Sequence, residues 1–217
     1  MKISTRRHLT LTIGVSTLLL VASVPVAAQS DSSDESDSAA YCESVGGIVV
    51  DRRATLNTNA DSSQWIPLGE SLQTCMFTSG EGESQTQISV DLHTLYSEEP
   101  TLAGLAYLSA VPSSNSGPAG SNPASSYCPD DLGGTEQFGS AGPGGAWVIK
   151  DPGMDLDWLV LSFCVFADRS AIDDFGLFYA GAGEVRGIDL STVMRYQPGE
   201  DLPDVFASSE GGTSEGG

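Results

Sequence analysis

Lysine is almost missing from this 217-residue chain. Only Lys2 and Lys150 occur, and seven arginines bring the basic total to nine, against 29 acidic residues. Such a surface repels phosphate backbones and anionic lipid head groups, so nucleic acid and membrane-surface partners are disfavoured. Histidine is nearly as scarce, with His8 and His93 alone. After loss of a leader, a Ser-His-Asp mechanism would rest on His93, which sits beside Asp91 and reads as solvent-facing. The cysteines include no closely spaced pair, whereas zinc sites favour ligands about two to four residues apart. Asp151, Asp155 and Asp157 alternate like calcium ligands, but no loop glycine or closing Glu follows in register. No metal and no cofactor is therefore expected. Gly181 to Gly187 is one residue too long for a dinucleotide fingerprint. Gly212 to Gly216 matches a nucleophile elbow only literally, in a Gly/Ser tail with no strand before it.

The one apolar stretch approaching the length of a membrane span lies within the first 28 positions. Lys2, Arg6 and Arg7 precede an apolar stretch from Leu9 to Val26, broken by Gly14 and Pro25. Val26-Ala27-Ala28 then supplies the small residues of a cleavage site before Gln29. This pattern predicts a cleavable export signal, and hence a protein of the periplasm or the extracellular medium. Thr5-Arg6-Arg7-His8-Leu9 also resembles a twin-arginine motif, with Thr10 where an apolar residue is usual. No cysteine precedes Cys42, so no lipid anchor is expected at the cleavage site. Cleavage leaves six basic residues against 29 acidic ones, a formal charge of −23. Solubility, in a saline habitat if need be, accounts for that charge; a cationic protein partner is the sharper reading.

All four cysteines belong to one repeated signature. Tyr41-Cys42, Gly46-Gly47 and Cys75-Met76-Phe77 recur as Tyr127-Cys128, Gly133-Gly134 and Cys164-Val165-Phe166, shifted by 86 to 89 residues. The repeat predicts two disulfides, Cys42–Cys75 and Cys128–Cys164, one in each copy. An exported chain meets the oxidising compartment that such bonds need. The other two pairings would join the copies.

The composition divides the chain further. Residues 29–38, 112–121 and 207–217 are rich in Ser, Gly, Asp, Glu and Pro and carry too little apolar surface to offset backbone ordering, so they read as disordered. Between them lie a first module, 39–111, and a second, 122–206. The expected fold is α+β: two small disulfide-stapled modules, each a short antiparallel sheet with short helices, joined by a Ser/Gly/Pro linker. In the first module a helix is expected over Ala39 to Val45. Strands are expected at Ile48 to Val50, Ser71 to Phe77 and Thr86 to Leu92, and a further helix within Glu98 to Ala110. In the second, Asn122 reads as an N-cap and Pro123 as a first-turn residue, with Pro129 able to end the helix early. Strands follow at Ala146 to Lys150 and Trp158 to Phe166. Ser170 to Asp173 reads as a capping box, starting a helix that aligns Ile172, Phe175 and either Phe178 or Tyr179 on one face.

The second module resembles a small secreted bacterial domain, domain of unknown function 333, whose members carry a haemolysin label. The resemblance rests on Asn122-Pro123-Ala124-Ser125, Tyr127-Cys128, Gly133-Gly134, Cys164-Val165-Phe166-Ala167-Asp168-Arg169-Ser170 and the acidic pair Asp173-Asp174. It extends less completely to the first module. Ile172 stands where the family has a third cysteine, so an apolar contact is expected in place of one disulfide. The label implies little here, because no long apolar span or basic amphipathic helix follows the leader.

These residues point to an exported, non-enzymatic binding or interaction protein. The candidate binding residues are Trp65 and Trp147, in the hairpin regions upstream of each Cys-x-Phe, where large aromatic side chains flanked by turn formers can anchor a partner. Trp158 reads as core. A secreted inhibitor of a protease or other hydrolase is the alternative. A carboxylate enzyme using Asp168, Asp173 or Asp174 is the third reading.

Overall fold

The computed structural model describes residues 32–114, 122–136, 144–150, 160–199 and 205–206. The leader, residues 115–121 of the linker, the tail, Trp158 and the three aspartates from Asp151 to Asp157 lie outside the described residues. Three long strands come first: β1 (Ile48–Leu56), β2 (Ile66–Ser79) and β3 (Thr86–Asp91). Helix α1 (Ser32–Ser44) precedes them, and α2 (Leu92–Tyr96) and α3 (Leu102–Ser109) follow. The second half runs α4 (Pro123–Asp131), β4 (Thr135–Glu136), β5 (Gly145–Ile149), β6 (Val160–Leu161), β7 (Phe163–Val165), β8 (Ala171–Asp173) and α5 (Asp174–Gly181).

Local chemistry explains most boundaries. The Asn122 side chain accepts from the Ala124 amide, with Pro123 in the first turn of α4. That helix continues past Pro129 to Asp131. Asp91 and Asp173, each the last residue of a strand, accept from the Thr94 and Gly176 amides and so start α2 and α5. The cap of α5 is therefore Asp173 and not Ser170, because Ala171–Asp173 is held as a strand by its neighbours. As a result Phe175 is 41% exposed while Ile172 is fully buried, and the two do not share an inward face. The apolar run up to Phe166 is divided at Ser162 into β6 and β7. Helix α1 begins at Ser32, inside the segment read as disordered, and carries Tyr41 and Cys42 against the sheet.

The sheet is continuous across both halves, where two separate sheets were expected. Its order is β4-β7-β8-β3-β2-β1-β5-β6, antiparallel at every pairing. Two contacts fuse it: Val90 of β3 pairs with Ile172 of β8, and β5 pairs with β1 from Arg52↔Ile149 to Leu56↔Gly145. A small half-sheet would leave those edges unpaired, and joining them satisfies their backbone groups. Ser162 alone separates β6, at one end of the order, from β7, near the other. The sheet must curl on itself to allow that.

The halves repeat one register. Ile48↔Met76 and Val49↔Cys75 in the first correspond to Thr135↔Val165 and Glu136↔Cys164 in the second. Likewise Cys75↔Val90 corresponds to Cys164↔Ile172. The Val90↔Ile172 pair therefore joins equivalent positions, as a two-fold axis would. Cross-half hydrogen bonds obey the same relation. Ala171 donates its amide to Asp91 Oδ2, and Ser89 donates its amide to Asp173 Oδ2, each at 2.6 Å. Tyr41 donates its hydroxyl to the Val193 carbonyl, and Tyr127 donates its hydroxyl to the Val111 carbonyl.

Both disulfides form as the repeat predicts, Cys42–Cys75 and Cys128–Cys164, with Cα separations of 5.7 and 5.5 Å. Gly47 and Gly134 are required beside them: a Cβ on either would overlap the sulfur of Cys75 or Cys164. The main core lies between the sheet and its helices and takes in all four cysteines, Phe77, Ile88, Val90, Leu95, Tyr127, Ile172 and Leu177. Disulfides of this kind mark a protein that folds outside the reducing cytoplasm. Among the described residues, no helix is long and apolar enough to cross a membrane.

Candidate functional site

The two candidate tryptophans part company in the fold. Trp147, on β5, is 4% exposed and packs with Ala54, Phe163 and Ala171 inside the curl of the sheet. It is a core residue, because β5 is drawn across to β1 and its indole turns into the interior. Trp65 stays half-buried just before β2, after a single turn of 3-10 helix capped by Asp61. Its indole Nε1–H donates to the Ala60 carbonyl at 3.0 Å. The polar edge of the ring is thus tied to its own loop, and what the ring offers to a neighbour is apolar surface.

That surface forms one wall of a cleft of about 310 Å³, lined also by Arg53, Thr55, Ser62, Pro67, Val148, Ile149 and Lys150. The strand pairing explains the composition. Arg53 on β1 lies opposite Val148 on β5, so Arg53, Val148 and Lys150 share one face of the sheet. Lys150 is anchored by its amide, which donates to the Asp51 carbonyl at 2.9 Å. A register shift between Arg53 and Thr55 brings Pro67 opposite Thr55. The Thr55 hydroxyl donates to the Arg53 carbonyl at 3.1 Å. Among the described residues the one ion pair joins Arg195 to Glu98, so Arg53 and Lys150 enter the cleft without a carboxylate partner. Arg53 and Lys150 were not singled out as site residues by sequence reasoning. The available signal was scarcity: with six basic residues beyond position 28, two stand side by side.

A second, larger groove of about 610 Å³ lies between α1, α2 and β2. His93, exposed as expected, is on its rim with Tyr96 and Glu98. Arg195 closes one end, its guanidinium 4.4 Å above the Tyr96 ring while it pairs with Glu98. On its α1 side Ser38 donates its hydroxyl to the Glu35 carbonyl at 3.0 Å.

The three carboxylates considered for catalysis are bound into the frame. Asp168 accepts from the amides of Leu102 and Ser170 and from the Ser170 hydroxyl. Burial works to raise it, but these bonds prevail and hold its pKa below the ordinary carboxylate value. Asp173 is buried and accepts from two amides, and burial still pushes it up to about 6. Arg52 counters part of that rise. Its side chain is fully buried inside the curl, donating to Thr74 Oγ1, Ser89 Oγ and the Trp147 carbonyl, and burial lowers its pKa to about 10. Asp174 is 1% exposed, and among the described residues neither carboxyl oxygen has a hydrogen-bond partner. Burial, with Glu136 and Asp173 adding repulsion, pushes it up to about 8, so it carries a proton at neutral pH. No family model, curated protein or solved structure matches this chain.

Proposed function

We propose that this is an exported, non-enzymatic binding protein built from two diverged copies of one disulfide-stapled unit, with the Trp65 cleft as its docking site. The observation that carries the reading is the cleft itself: an apolar ring in the loop before β2 and, among the described residues, two cations without an ion-pair partner, Arg53 on β1 and Lys150 just after β5. The leader supports export through a cleavable signal, and the disulfides agree with folding in an oxidising compartment. The repeated register and the matching cross-half bonds support a duplicated ancestor, and Ile172, buried opposite Val90, supports the apolar replacement of a family disulfide. On this reading the haemolysin label does not describe the activity.

Capture from periplasmic extract or culture supernatant tests the binding role. Immobilised residues 29–217 are expected to retain a component that the Trp65→Ala form does not. Equal retention by both forms would end the assignment of the cleft. N-terminal sequencing of the secreted form should begin at Gln29. Dye release from anionic liposomes should stay at background, and lysis at low protein concentration would restore the label.

A further inference from the structure

We infer that the Trp65 cleft takes a small organic anion with a flat apolar body, such as an aromatic carboxylate; this rests on the binding reading above. Size comes first. At about 310 Å³ the cleft stands at the lower end of small-molecule sites. Charge comes second. Arg53 lies on β1 and Lys150 directly after the adjacent antiparallel β5, two residues beyond the partner of Arg53. Diagonal neighbours of that kind sit about 7–8 Å apart, within reach of one carboxylate for two long side chains. Asp51, on the same face and beside Lys150, makes no ion pair with it. Among the described residues neither cation has an ion-pair partner, in a protein whose net charge of −20 gives carboxylates a large excess.

The third argument is what the other walls cannot do. The indole N–H of Trp65 and the hydroxyl of Thr55 are already donated to backbone carbonyls. Val148, Ile149 and Pro67 offer no side-chain donor or acceptor. Apart from Ser62, polar recognition is left to two positive charges, and the remaining wall is apolar and partly aromatic. A neutral ligand would leave the cations unpaired, and a cation would be repelled. An anion with a planar apolar body pairs its charge with Arg53 and Lys150 and lays its ring against Trp65 and Pro67. Arginine supports this further, since its planar fork matches a carboxylate in two-point geometry.

The test uses residues 29–217, isotope-labelled, with benzoate, benzamide and benzylammonium as probes at fixed ionic strength. Benzoate is expected to give saturable NMR shifts centred on the Trp65 indole N–H and the amides of Thr55 and Val148. Benzamide, of nearly the same shape without the charge, should bind at least about tenfold more weakly, and benzylammonium should not bind. The double substitution Arg53→Gln/Lys150→Gln should lower benzoate affinity by a similar factor with an unchanged melting temperature. Benzylammonium binding as tightly as benzoate, or benzoate binding unaffected by the double substitution, would overturn the anion assignment. If benzamide and benzoate bind alike and Trp65→Ala abolishes both, the ligand class falls and the cleft stands. If no probe perturbs Trp65 and extract capture ignores Trp65→Ala, the binding reading falls as well.

Discussion

The half around Cys42–Cys75 and the half around Cys128–Cys164 share a strand register but differ in reach. In the first, β1 and β2 run nine and 14 residues, and their far ends form the open ribbon on which the Trp65 cleft sits. In the second, the equivalent β4 and β7 run two and three residues. What lies between them, β5 and β6, has crossed to the other half and packs against β1. One half thus supplies the long ribbon and the other the hairpin that completes its site. The halves also differ at one buried position. After the capping aspartate, the first half has Leu92 and the second has Asp174, both buried. The cysteines, the capping aspartates and the glycines beside the disulfides are the same in both halves: the cysteines are bonded in pairs, a Cβ at Gly47 or Gly134 would overlap a sulfur, and each aspartate holds a cap and a cross-half bond.

Separating the halves should have the largest effect. Residues 120–206 alone would lose the β5–β1 and β8–β3 pairings, and the fragment is expected to show no cooperative melt by circular dichroism; a sharp transition would mean that each half is autonomous. Next come the disulfides. Their sequence separations of 33 and 36 predict nearly equal contributions, about 3.5–4 kcal/mol each in the chain-entropy model. Denaturation of the Cys42→Ala/Cys75→Ala and Cys128→Ala/Cys164→Ala forms checks that equality, and a gap above about 2 kcal/mol would show that the halves do not carry equivalent frames.

The capping aspartates should then separate. Asp91→Asn and Asp173→Asn each disturb a cap and a cross-half bond, but Asp173 also faces the buried Arg52 charge. Asp173→Asn is expected to cost about 3–5 kcal/mol and Asp91→Asn about half of that. Asp174→Leu, which copies Leu92 into the second half, should do the opposite and stabilise by about 2 kcal/mol at pH 8. The sign follows from linkage. Asp174 in the folded chain holds its proton up to about pH 8, whereas unfolded it releases it near 4, so stability falls as pH rises between those values. Asp173, raised to about 6, adds to the same slope. The melting temperature should therefore be higher at pH 5 than at pH 8, and Asp174→Leu should narrow the difference. Equal pH dependence in the two forms would remove Asp174 as its source. Smallest is Trp65→Ala, expected to change stability by under about 1 kcal/mol, which calorimetry can verify before any binding comparison.

Much of the frame was legible in the sequence because it rests on local chemistry. The disulfide pairing followed from the repeat. The N-cap at Asn122, the three strands of the first half and the helix over Leu102–Ser109 followed from capping residues and apolar period. The capping box failed at Ser170 because pairing of Ala171–Asp173 with β7 and, at Ile172, with β3 overrode a local motif. Trp147 reads like Trp65 by its flanking residues, and only the crossing of β5 to β1 buries it. Arg53 and Lys150 are 97 positions apart in sequence, and no spacing rule joins them.

By itself the sequence determined the α+β class, the two disulfides, the glycines that let them form and the acidic character of the surface. These depend on residues near one another in the chain or on a repeated signature. The tertiary structure alone decided that the halves share one sheet, that Arg52 and Asp174 are buried, and that two scarce cations meet beside Trp65. Those facts come from strand pairing between distant segments, which forms wherever an unpaired edge finds a partner and leaves no mark in local sequence.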